Sequence, residues 1–68
     1  MKIDKIDSKG KPFASKFIPG SVDDVSEAVL NEEASNYIGQ SVEIGDGCND
    51  FLYFFNDAAE CLARVNIY

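Results

Sequence analysis

The groups in this chain that could do chemistry are two thiols, Cys48 and Cys61, and twelve carboxylates, with no histidine to move a proton between them. Without imidazole, no side chain has an unperturbed pKa suited to acid–base work near neutrality. The adjacent acids Asp23/Asp24 and Glu32/Glu33 have the look of helix-surface charge, which water ordinarily solvates. Two cysteines without histidine cannot complete a structural zinc site, which takes four ligands. In "EIGDGCND", Glu43, Asp46, Asn49 and Asp50 bring oxygen donors to a turn, but their spacing lacks the loop-closing Glu of a calcium-binding EF-hand. "SKGK" has a single glycine before its lysine and falls short of a phosphate-binding loop. The residues therefore predict a protein that is not an enzyme, holds no metal or cofactor, and keeps both thiols reduced.

What remains is charge and aromatic surface. The net charge is −6, and its arrangement says more than its total. All five lysines (Lys2, Lys5, Lys9, Lys11, Lys16) lie in the first sixteen residues, while Phe17 to Ala63 contains ten acids and no Lys or Arg. Binding along a nucleic-acid backbone needs clustered cations, so direct nucleic-acid binding is not expected. An acidic field attracts basic partners instead. Late in the chain "FLYFF" runs five bulky residues together without a polar break. A strand shows alternate residues to opposite faces, so one set, Leu52/Phe54 or Phe51/Tyr53/Phe55, is left for something other than the core. Leu52 and Phe54 are expected inward, with Phe51, Tyr53 and Phe55 on the open face, where the Tyr53 hydroxyl meets water or a partner.

Sixty-eight residues make one domain, 1–68. So small a domain buries only about 60% of its unfolded surface, and needs nearly every large apolar residue in its core. Ile3, Ile6, Phe13, Phe17, Ile18, Val25, Val29, Leu30, Ile44, Leu62 and Val65 are the expected contributors. "KIDKID" and "FASKFI" flank a turn at Gly10 and Pro12 and read as a hairpin. "SVDDVSEAVLNEEASNYIG" reads as a helix with Ser21 as N-cap, Asp24 three residues later, an apolar face of Val22, Val25, Val29, Leu30 and Tyr37, and Gly39 as its left-handed stop. Glu33 falls inside that face by helical angle, so either the helix loosens there or the side chain reaches outward. "SVEIGDGCNDFLYFF" reads as a second hairpin. The tail "NDAAECLARVNIY" fits two patterns. As a helix, Asp57 caps with Glu60 at the capping-box spacing, Ala58, Cys61, Leu62, Val65 and Tyr68 share a face, and Glu60 pairs with Arg64. As a strand, Cys61, Ala63, Val65 and Ile67 turn inward.

Propensity favours the helix. The expected fold class is then α+β, a two-layer sandwich in which a four-stranded antiparallel sheet carries two helices on one face, in the order β-β-α-β-β-α; the alternative, with the last element a strand, is β-β-α-β-β-β. Both leave one sheet face uncovered.

No run of apolar residues is long enough to span a membrane, and "MKIDKIDSKGK" lacks the apolar stretch of a secretory signal, so a cytoplasmic setting is expected. The expected function is a non-catalytic, acidic protein-binding module that docks on a basic surface of a larger protein or protein–nucleic-acid complex. The expected contacts are the acids Asp23, Asp24, Glu27, Glu32, Glu33, Glu43, Asp46 and Asp50 and the aromatics Phe51, Tyr53 and Phe55. In size, acidity and lack of catalytic groups the chain resembles the small phage-encoded inhibitors of host defence complexes, anti-CRISPR proteins included; that resemblance implies nucleic-acid mimicry in a host cytoplasm. The competing expectation is a homodimeric structural or regulatory subunit joined through the aromatic face. Base stacking on the sheet, as in some RNA-binding domains, is disfavoured because the aromatic strand sits in the lysine-free segment.

Overall fold

The structure is a computed structural model that describes residues 1–45, 47 and 50–67. Its elements are β1 (Lys2–Ile6), β2 (Pro12–Phe17), a 3₁₀ turn (Val22–Asp24), α1 (Glu27–Ile38), β3 (Glu43–Ile44), β4 (Phe51–Phe55) and β5 (Cys61–Asn66). The five strands form one antiparallel sheet in the order β2-β1-β5-β4-β3, and α1 packs on one face of it. Among the described residues the fold is α+β, with the β-β-α-β-β-β order, five strands and a single helix. The expected second helix is not formed.

Residues 56–60 show why. Asn56 takes the amide donors that a helix would have needed: its side-chain oxygen accepts from Ala58 N at 3.1 Å and Glu60 N at 2.9 Å. Its backbone N–H donates to Glu60 O at 3.0 Å, and Ala59 N donates back to Asn56 O at 2.9 Å. The chain reverses through Ala59 at φ 60, in the left-handed region, and returns as β5. This is a three-residue hairpin loop ending in a left-handed residue. The first hairpin is built the same way. Asp7 accepts from Lys9 N at 2.8 Å and Lys11 N at 2.9 Å, and Gly10 is the left-handed residue at φ 80. Asp57 and Glu60 therefore do not cap a helix, and Glu60 does not pair with Arg64; the Glu60 carboxylate accepts from the Asn56 side chain at 3.0 Å.

The middle helix starts later than its sequence suggests. The Ser21 hydroxyl donates to the Asp24 carboxylate at 3.0 Å and caps no amide, and the N-cap of α1 is Ser26, whose hydroxyl accepts from Val29 N at 3.3 Å. The extended backbone at Val25 ends the 3₁₀ turn and separates it from α1. That break rotates the inner face: Leu30 and Ala34 are buried, with Tyr37 and Ile38 packed against the core, while Val29 is 44% exposed. Gly39 ends the helix at φ 89, as expected. Glu33 reaches outward to Lys16 of β2, at 4.0 Å.

The core comprises Ile3, Leu30, Ala34, Val42, Phe54, Ala63 and Val65, with Ile6 also buried. Each large side chain fully removed from water contributes about 1.5–3 kcal/mol. Register aligns Ile3, Val65 and Leu52 in one row and Lys5, Ala63 and Phe54 in the next, all on the helix side. Three expected core residues stay outside: Val29, and on β2 Phe13 and Phe17, 67% and 78% exposed. Lys16 and Ala14 take the helix side of that edge strand, opposite Ile3 and Lys5, so Phe17 shares the far face with Ser15 and Asp4.

Candidate functional site

Alternation along β4 puts Leu52 and Phe54 toward α1 and Phe51, Tyr53 and Phe55 on the opposite face. Phe54 is fully buried and Leu52 packs against the core, whereas the other three are half-buried. The Phe51 and Tyr53 rings lie 6.3 Å apart and tilted by 48°. Arg64 comes from β5 directly across from Tyr53, and its guanidinium sits 4.1 Å from the Phe51 ring centroid. Phe55 is set by Gly45: a Cβ on that glycine would fall 2.5 Å from the Phe55 ring, so the ring lies on bare backbone.

On the same face, β1 carries Asp4, opposite both Arg64 and Ser15. Arg64 Nε donates to Asp4 Oδ2 at 3.0 Å, the Ser15 hydroxyl donates to Oδ1 at 2.6 Å, and Lys2 Nζ stands 3.9 Å from Oδ1. This centre has no local sequence signature, because its members are separated by 11 and 60 residues. The only available signal was a lone cation within a helix-like tail.

Where β1 ends beside the start of β5, the two hairpin loops bound a cleft of about 470 Å³. Ile6, Tyr53 and Leu62 give it an apolar wall, with Cys61 beside them and Glu60 at the loop. Burial pushes the Cys61 thiol above its ordinary value, partly opposed by a backbone hydrogen bond from Ala63, so it stays protonated at neutral pH. A protonated thiol is a poor nucleophile. Cys48 lies outside the described residues. Among the described residues no three His, Cys, Asp or Glu converge as metal ligands, and no helix is long and apolar enough to cross a membrane.

The sheet separates the expected contact residues into two groups. Glu43 pairs with Phe55 and shares its face, and Asp50 adjoins Phe51, so these two acids border the aromatics. Asp23, Asp24, Glu27, Glu32 and Glu33 belong to the 3₁₀ turn and α1, on the other side of the sheet. Asp46 lies outside the described residues. One flat contact cannot engage both groups at once. Comparison with protein-family models, with curated proteins and with solved structures finds no match to this chain.

Proposed function

We propose that the protein is a non-catalytic binding module, an inhibitor of the phage anti-defence or anti-CRISPR kind, that docks on a basic surface of a larger protein or protein–nucleic-acid complex. The observation that supports it best is the uncovered sheet face, where Phe51, Tyr53 and Phe55 stand in a row bordered by Glu43 and Asp50. Aromatic anchors with a charged rim are the usual make-up of a protein-binding surface. The cleft beside Tyr53 offers a socket for a partner side chain.

The helix-side acids have a different part in this reading. Lying across the sheet from the contact, they add long-range attraction to a basic partner without touching it. Truncation in the aromatic row and charge reversal on the helix should then have separable effects. The test begins with capture of a partner from the native host and continues with its purified form. Tyr53→Ala is expected to weaken affinity by tenfold or more, roughly 1.4 kcal/mol, mainly through faster dissociation. Glu27→Lys with Glu32→Lys should slow association and flatten its dependence on salt, with dissociation little changed. Affinity indifferent to both changes would refute the proposal.

A further inference from the structure

We infer that the free edge of β2 pairs with the same edge of a second copy of this chain, about a two-fold axis at Ser15. β2 ends the sheet, so one side of its backbone faces no strand among the described residues. Met1 and Ile18 exchange both backbone hydrogen bonds, at 2.7 and 2.8 Å, which fixes the phase of the β1–β2 ladder. Bonded and non-bonded pairs alternate in an antiparallel ladder. Ile3–Lys16 and Lys5–Ala14 are therefore the next bonded pairs, and Ser15 and Phe17 turn their N–H and C=O groups outward. The register shift at Lys5/Ile6 skips Phe13, which has no partner on β1.

The side chains at these three positions fit a symmetric contact. Phe13 and Phe17, the most exposed large apolar residues among those described, stand two residues to either side of Ser15. Setting Ser15 against Ser15 of the second copy brings Phe13 against Phe17 at both ends, and cross-strand aromatic pairs stabilise a sheet. It also sets Lys16 across from Ala14, whereas a register centred on Lys16 would oppose like charges directly. Charge points to the same edge. Lys11 to Val22 contains no acid, so two copies of charge −6 can meet there without carboxylate facing carboxylate. Lys16 is already tempered by its own Glu33, at 4.0 Å. Pro12, which has no N–H to offer, ends the pairing beyond Phe13.

This contact is independent of partner docking on the aromatic face, and salt distinguishes the two. Docking on a basic partner weakens with salt, whereas self-pairing of lysine-bearing strands holds or tightens. The test is sedimentation equilibrium up to about 1 mM protein, with amide exchange followed by NMR on the unaltered chain at low and high concentration. The expected result is a reversible dimer in which the Ser15 and Phe17 amides gain protection with concentration, while those of Ala14 and Lys16 are protected throughout. Phe17→Pro, which removes an outward donor unused in the monomer, should raise the dimer dissociation constant about tenfold or more. A monomer at the highest concentration would overturn the inference. So would a dimer whose Ser15 and Phe17 amides stay as fast as in dilute solution, or one indifferent to Phe17→Pro.

Discussion

A carboxylate only 1% exposed on the face of a sheet that no helix covers needs cations of its own, and Asp4 has them in Arg64 and Lys2. Removing one member of a buried pair leaves the other charged and unpaired, which costs about 3–5 kcal/mol, while replacing both by apolar groups can be nearly neutral. Arg64→Leu should therefore destabilise by about 3 kcal/mol, and Asp4→Leu combined with Arg64→Leu should recover most of that loss. Urea unfolding of the two variants checks this; a double variant no more stable than the single one would exclude the ion pair as the cause. Arg64 also shows where the sequence was hard to read. It is the only arginine, and Glu60 stands four residues before it, so the local pattern suggested a helical pair. Its real partner is 60 residues away and visible only in three dimensions. Glu33 was more legible, because a carboxylate on an apolar helix face must reach outward for a charge, and it reaches Lys16.

At the scale of the element, two loops with the same hydrogen bonds differ at one residue. Gly10 and Ala59 both occupy the left-handed region, where a Cβ costs about 1–2 kcal/mol. Glycine relieves that strain but loses roughly 0.4–1 kcal/mol by loosening the unfolded chain. Ala59→Gly should thus stabilise by about 0.5 kcal/mol, and Gly10→Ala should destabilise by about 1 kcal/mol. Denaturation midpoints moving the opposite way would show that the loops are not built alike. The comparison explains what the sequence disclosed of each hairpin. "DSKGK" carries its glycine and was read as a turn; "NDAAE" has alanine in that place, and its Asn56 signal was outweighed by helix propensity. Alternation along "FLYFF" was clear enough to orient its side chains once one face had a cover. The start of α1 was obscured because Ser21 and Ser26 both precede suitable residues, and the extended Val25 between them has no local signature.

Across the whole molecule, charge is divided by the sheet order. The lysines lie on β1, β2 and the loop between them, at one edge, while the helix layer and the β3–β4 side carry acids without a cation. Lys5 and Lys16 approach the Tyr37 ring to 4.6 and 6.0 Å and, with the Lys16–Glu33 pair, tie the basic edge to the helix. That leaves most carboxylates repelling one another at short range. Monovalent salt screens such repulsion within about 10 Å at 0.1 M, so stability should rise between low and moderate salt. Thermal unfolding at neutral pH checks this, and a melting temperature that falls with salt would mean that attraction, not repulsion, dominates the folded surface. The α+β class and the uncovered face were foreseeable from sequence, since short hairpins beside a helix leave few other arrangements. The strand order was not, because it depends on β5 lying between β1 and β4.

The position of β5 also governs how the protein is made. Because the last strand is the middle one, the β1–β2 hairpin and the α1–β3–β4 unit have no shared sheet until residues 61–66 emerge from the ribosome. Synthesis thus yields two unjoined halves with bare flanks at β1 and β4, closed in a final step by a single segment. Translation that stops before Cys61 leaves those flanks open to proteases or to misassembly with another nascent chain.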